Sequence, residues 1–235
     1  MKTKVWAHRG ASAYAPENTL EAFLLAAEHG ADGVELDVQL TKDGEMVVVH
    51  DEEIDRVSDG SGFVKDYTLA ELKTLNFNKT HPEYQDVKIP TLREVYEALK
   101  GIASKDSVGM VRGYAIVALG DVAVEINKEK EATKFLKNLL KREKTDFAII
   151  DIWAVLYCLG EERWLSYLLE KIDSSKSSER CEVANCLYGI VDEENKEQIK
   201  TILQKRREIE KSEEVIESIE EVLNIIKKDY NKKGM

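Results

Sequence analysis

Two histidines, an arginine and a pair of alternating carboxylates stand within the first 51 residues. They occur as His8-Arg9-Gly10, Glu17-Asn18-Thr19, Glu35-Leu36-Asp37 and His50-Asp51. Glu35 and Asp37 are two apart, so on a strand they project from the same face. Two carboxylates forced together repel unless a cation neutralises them, and their hard oxygens favour Mg²⁺ or Ca²⁺. Histidine exchanges a proton near neutral pH, so His8 and His50 suit general base and general acid work. Arg9 adds a planar fork of donors matched to phosphate oxygens. The set is a parts list for metal-assisted chemistry on a phosphate ester.

The elements that must position these residues follow from the local pattern. Lys4–His8 reads as a short apolar strand ending in polar His8-Arg9 and a glycine turn. Asn18 is placed to cap an amphipathic helix over Thr19–His29, with Leu20, Phe23, Leu24 and Ala27 at helical spacing and Gly30 as its stop. Gly33–Thr41 alternates with period two, a strand with Val34, Leu36 and Val38 on one face. After a turn at Lys42-Asp43-Gly44, Met46–His50 is a second buried strand. Thr68 and Thr91 are placed to cap helices over Leu69–Leu75 and Leu92–Lys100, the latter with Glu94 completing a capping box. Strands alternating with helices predict a parallel α/β layer, where polar residues at strand ends assemble sites. His29, at a helix end, and His81, before Pro82, lack that setting and read as structural.

The chain changes character near Gly101. All 3 prolines and all 4 histidines precede residue 91, and a proline-free stretch fits near-continuous helix. Val111–Gly120 recurs in weakened form at Ile150–Gly160 and Cys181–Gly189, and each unit is followed by an amphipathic helix. Those helices are predicted over Lys130–Arg142, Arg163–Ile172 and Lys196–Arg206, with a final one over Glu213–Lys228. The organisation resembles HEAT repeats, Val111-Arg112 and Ala118-Leu119-Gly120 matching that family's pattern. A generic helical bundle is the alternative. The domain reading is therefore 1–103 for an α/β part and 104–235 for an all-α part, with the junction over Gly101–Asp106.

Composition limits the functions open to the chain. Its net charge of −11 argues against a nucleic-acid backbone binder. Residues 1–100 carry 11 basic and 19 acidic side chains, so the acidity concentrates beside the expected cation site. No apolar run reaches the roughly 20 residues that span a bilayer. The first residues contain no apolar run of signal-peptide length, and Cys158, Cys181 and Cys186 read as unpaired core hydrophobes. Both observations point to the cytoplasm.

The order of His8-Arg9-Gly10, Pro16-Glu17-Asn18-Thr19, Glu35-x-Asp37, Asp43-Gly44, His50-Asp51 and Ile89-Pro90-Thr91-Leu92 resembles the N-terminal part of glycerophosphodiester phosphodiesterases over residues 4–101. The resemblance implies a partial TIM barrel and hydrolysis of glycerophosphodiesters to glycerol 3-phosphate and an alcohol. It implies His8 and His50 as the acid/base pair, Glu35 and Asp37 as metal ligands, Arg9 on the phosphate, and Glu17 and Asn18 shaping the adjacent loop. A complete barrel takes about 250 residues, and fewer than half are supplied. A third metal carboxylate has one weak candidate, Glu125 in Ala123–Asn127. The leading expectation is a metal-dependent phosphodiesterase impaired by truncation. The alternative is a HEAT-type scaffold or immunity-type protein that binds a protein partner and carries a vestigial catalytic segment. A third reading is a recombined gene whose parts share no function.

Overall fold

The structure, a computed structural model, describes residues 5–232, with side chains through Lys228. Four short strands come first: β1 (Trp6–His8), β2 (Gly33–Glu35), β3 (Val38–Leu40) and β4 (Met46–Val48), with helix α1 (Leu20–Glu28) between β1 and β2. Helices α2 (Leu69–Leu72) and α3 (Leu92–Lys105) follow. Then come α4 (Gly109–Glu125), α5 (Glu129–Leu140), α6 (Asp146–Cys158), α7 (Trp164–Lys171), α8 (Ser177–Ile190), α9 (Lys196–Ile209) and α10 (Glu213–Lys232). The chain forms two compact units. One holds the residues through Asp106 together with Val122–Asn127; the other holds Ser107–Asp121 and the residues from Lys128 on.

In the first unit β1 and β2 pair in parallel, with His8 opposite Glu35. The strand expected over Lys4–His8 is Trp6–His8, and Lys4 lies outside the described residues. The strand expected over Gly33–Thr41 is broken at Leu36-Asp37. Its second half pairs antiparallel with β4, Val38 opposite Val48. The parallel layer is therefore confined to β1 and β2. The reason is the short turn: Gly44 adopts φ +80 and its N–H donates to the Thr41 carbonyl, folding β4 straight back onto β3. A parallel return would need a crossover of a dozen or more residues. Val38, predicted to share a face with Leu36, is exposed, while Leu36 packs inward.

Val47, Val48 and Val49 explain why β4 is the unit's central element. Val47 and Val49 face a core with Ile54, Val57, Val64, Leu72, Phe77, Val87 and Ile89. Val48 points the opposite way, onto Leu92 and Val95 of α3 and the half-buried Leu20, Phe23 and Leu36. Both faces of the strand are covered, so an unbroken apolar run replaces alternation. Helix starts conform closely to expectation. Thr68 and Thr91 each form a reciprocal capping box, with Glu71 and Glu94. The exception is α1, capped by Thr19 rather than Asn18. Helix α3 also runs straight through Gly101 to Lys105.

In the second unit α6 stacks against α8 and α8 against α10, while α7 and α9 pack beside their neighbours. Their apolar faces meet in a core that includes Ile150, Leu168, Ile172, Leu187, Ile199, Leu203, Val215, Ile219 and Val222. Cys181 and Cys186 lie half-buried against it, whereas Cys158 is exposed rather than in the core. Ala123–Asn127, which holds the weak ligand candidate Glu125, is the last turn of α4 and the residues after it. Among the described residues no helix is long and apolar enough to cross a membrane.

Candidate active site

The parallel pairing of β1 with β2 does most of the assembly. It sets His8 beside Glu35, with His8 Nε2 3.8 Å from Glu35 Oε2. One residue on, the Arg9 N–H donates to the Glu35 carbonyl at 3.0 Å and lies 3.3 Å from Glu35 Oε2. Arg9 stands at φ +58, in the left-handed region that suits few L residues. Gly10 follows at φ +79, with Ala22 of α1 so close that a Cβ would stand 2.7 Å from the alanine Cβ. The glycine of His8-Arg9-Gly10 is thus required by contact with α1 as well as by its φ.

Asn18 is the second strained residue here, at φ +56. Its N–H donates to the Arg9 carbonyl, so the two left-handed residues are tied to each other. Its side chain, not spent on capping, donates to Asp37 Oδ2 at 2.9 Å. Such conformations cost on the order of 1–3 kcal/mol each and persist where surrounding contacts fix them. Asp37 Oδ2 also lies 3.4 Å from Arg9 Nε, and Arg9 Nη1 donates to Glu17 Oε1 at 3.0 Å. The buried Arg9 Nε donates no hydrogen bond. That nitrogen faces the Asp37 carboxylate as an ion pair instead.

His50 joins from the end of β4. Its Nδ1 is 2.6 Å from Asp51 Oδ1. The Arg56 guanidinium then bridges outward: Nε donates to Asp51 Oδ2 at 2.7 Å, Nη1 to Glu17 Oε2 at 2.6 Å and Nη2 to Glu17 Oε1 at 2.8 Å. Hydrogen bonding to Arg56 holds the Glu17 carboxyl below its ordinary range, with Arg9 adding to the effect. The same guanidinium, and His50 after it, lower Asp51. Arg56 was not among the residues singled out from sequence. It stands in a polar stretch without periodicity, and only its position five residues after Asp51 hinted at a link.

Glu35 and Asp37 bring two carboxylates to the junction of β2 and β3. Mg²⁺ is commonly held by one or two carboxylates and leaves its other positions to water and phosphate, so this donor set fits such an ion. Glu125 does not extend the set: it is the exposed last residue of α4. Among the described residues, three potential ligands converge only at Asp151, Glu182 and Cys186, in the helical unit. That group is explained as a thiol donating to carboxylates, Cys186 Sγ lying 3.5 Å from Asp151 Oδ1 and 4.0 Å from Glu182 Oε1. Burial pushes the Cys186 thiol well above its ordinary range, with Asp151 adding to the effect. His29 stacks edge-on against Tyr14, and His81 contacts Thr80 and Tyr84, so neither joins the site.

The Arg9 guanidinium, His8, Glu35 and Asp37 thus stand together at the β1–β2 pairing. The comparisons give that site its family. The model of the glycerophosphoryl diester phosphodiesterase family matches residues 8–156, more than half the chain, and the chain belongs to that family. The match runs past Gly101, where the sequence resemblance was expected to end. The chain is 57% identical over 100 residues to the glycerophosphodiester phosphodiesterase of Caldanaerobacter subterraneus, covering 42% of this chain and 41% of that one. It is 48% identical over 100 residues to the glycerophosphodiester phosphodiesterase of Bacillus subtilis, covering 39% and 34%. The crystal structure of glycerophosphodiester phosphodiesterase from Agrobacterium tumefaciens is similar over 42% of each chain, at 40% identity and a TM-score of 0.40. The chain thus spans about two fifths or less of the length of these two curated relatives.

Proposed function

We propose that the chain is a metal-dependent phosphodiesterase acting on glycerophosphodiesters, releasing glycerol 3-phosphate and an alcohol. The observation that carries this reading is the convergence of His8, Arg9, Glu35 and Asp37 through the β1–β2 pairing. Arg9 binds the phosphate, its guanidinium held beside the site by Glu17 and Asp37. Glu17 and Asn18 fix the Arg9 loop, and His8 and His50 move protons. One imidazole takes the proton of the attacking oxygen as its bond to phosphorus forms. The other protonates the departing alcohol oxygen as the old P–O bond breaks. Glu35 and Asp37 would hold Mg²⁺ or Ca²⁺, which when bound neutralises charge on the phosphoryl oxygens. The cytoplasm is the compartment that fits this reading.

The test is turnover of glycerophosphocholine by the purified full chain with Mg²⁺ or Ca²⁺, beside His8→Ala and Glu35→Ala. Loss of an acid/base group costs about 10²–10⁴-fold. Both variants are expected to fall at least about 100-fold. Absent turnover, or turnover indifferent to both changes, overturns the reading.

A second reading attaches to the helical unit alone. The succession α6, α8, α10, with α7 and α9 alongside, supports a HEAT-like solenoid whose concave face takes a protein partner. Solenoids lose stability unit by unit as terminal repeats are removed. Truncation after Ile190 is therefore expected to keep the helical signal of α4–α8, whereas a single bundle would lose all of it.

A further inference from the structure

Arg56 is one guanidinium shared by two carboxylates, and each carboxylate holds a different side chain of the site. Through Glu17 it reaches Arg9; through Asp51 it reaches His50. An ionised carboxylate only accepts hydrogen bonds, so the 2.6 Å contact with Asp51 requires the proton on His50 Nδ1. The neutral ring then carries its lone pair on Nε2. A partner on one imidazole nitrogen selecting the chemistry of the other is a general device.

The loop that carries Arg56 is fixed independently of these contacts. Ile54, Val57 and Ser58 are buried around it. The Ile54 N–H donates to the Gly62 carbonyl, Ser58 Oγ donates to the Ile54 carbonyl, and the Gly62 N–H donates to Asp55 Oδ2. At Gly60 a Cβ would stand 2.6 Å from Leu75 Cδ1 and 2.9 Å from Ile54 Cδ1, so the turn is closed against the core. Arg56 itself has a side chain that is 44% exposed. An exposed ion pair contributes little to stability. Arg56 joins the two carboxylates, so its position sets theirs.

We propose that Arg56 is a positioning residue that fixes the His50 tautomer through Asp51 and the Arg9 guanidinium through Glu17. Its catalytic consequence rests on the phosphodiesterase reading of the site; its effect on the imidazole does not. Lysine cannot replace it fully, because a point charge lacks the fork that serves two carboxylates at once.

The experiment is ¹⁵N–¹H correlation of the imidazole rings in the full chain, above the histidine titration range, for wild type, Arg56→Gln and Arg56→Lys. Wild-type His50 is expected as a single Nδ1–H tautomer. In Arg56→Gln the Nε2–H form is expected to rise at least about tenfold, with Arg56→Lys between the two and the helical signal unchanged. A purely structural role would shift the melting temperature without moving the tautomer. An unchanged tautomer in Arg56→Gln overturns the proposal; should that variant fail to fold, Arg56→Lys decides on the same criterion. If wild type turns over glycerophosphocholine, kcat in Arg56→Gln is expected to drop about 10–100-fold, the usual scale for an orienting partner. Absent turnover in wild type removes the phosphodiesterase reading, while the imidazole spectrum still decides the role of Arg56.

Discussion

Arg180 in the helical unit and Arg56 in the strand-bearing unit each grip a glutamate through two nitrogens, but in opposite surroundings. Arg180 Nε and Nη2 donate to Glu210 at 2.7 Å each, and Nη1 donates to the Ser174 carbonyl at 2.7 Å. Glu210 is fully buried and also accepts from Arg206 and from the N–H groups of Lys211 and Ser212. Arg56 grips Glu17 with comparable distances but is 44% exposed, and its circuit ends at Arg9, whose Nε faces Asp37 at 3.4 Å. The sealed circuit satisfies its own donors and acceptors and holds helices together. The open one stays in contact with solvent through Arg56. The same residue types serve stability in one unit and orientation in the other, and burial is what separates the two uses.

The sharpest break in that contrast is Arg180→Ala. Removing Arg180 takes two hydrogen bonds from a buried carboxylate that keeps Arg206 and the N–H groups of Lys211 and Ser212, so the cost is expected at about 1.5–3 kcal/mol. Urea denaturation followed by circular dichroism is expected to read a loss in that range. A loss under about 1 kcal/mol would put Arg180 in the same class as an exposed pair and dissolve the comparison.

Acid probes the sealed side next. Hydrogen bonding to Arg112 lowers the Glu143 carboxyl from 4.5 to about 2, aided by the N–H groups of Thr145 and Lys144. The unfolded chain therefore takes up this proton first. The stabilisation is fully present above pH 4.5 and is lost as pH falls through about 2. Its scale is about 3–4 kcal/mol, since each pKa unit corresponds to roughly 1.4 kcal/mol. Thermal melts at falling pH are expected to show helix loss steepening in that window, and Arg112→Met is expected to flatten it.

Glycines make a finer comparison because the same substitution can be placed in both units. At Gly113 an added Cβ would collide with Asp151 Oδ2 and stand 2.8 Å from the Phe147 ring, whereas at Gly189 it meets nothing. Gly113→Ala is expected to cost about 1–3 kcal/mol, the range for overpacking. Gly189→Ala is expected to stabilise α8 by about 0.5–1 kcal/mol through helix propensity. Gly10→Ala combines φ +79 with contact against Ala22. Its added signature is loss of the Arg9 geometry, seen as altered shifts of the Arg9 side chain rather than as helix loss.

How much of this was visible in the sequence depends on how local each cause is. Both capping boxes are local, and the residues at Thr68–Glu71 and Thr91–Glu94 behave as their types dictate. Helices α5, α7, α9 and α10 follow from amphipathic spacing, and α4, α6 and α8 from a proline-free stretch with a loose repeat. The break at Leu36-Asp37 was hidden because alternation over Gly33–Thr41 reads as one strand, while the turn at Gly44 pulls its second half onto β4. Asn18 was misread as a cap because its residue type suits a cap. Only the tertiary position of Asp37 shows where its amide goes. Arg56 was hidden for the same reason: Glu17 lies 39 residues away, and no local pattern announces that partner.

The smallest expected effect bears most directly on what the open circuit is for. A double-mutant cycle on Arg56→Gln and Glu17→Gln should give a stability coupling below about 1 kcal/mol, as exposed pairs do. The same cycle on Arg180 and Glu210 should give several-fold more, because those hydrogen bonds are buried. If the Arg56–Glu17 coupling equals the buried one, the circuit is a structural clamp and its tie to His50 is incidental. If it is small while the His50 tautomer shifts, the pair is kept for geometry alone. Small energetic weight joined to large orientational weight is the combination expected of a residue that works through the side chains it positions.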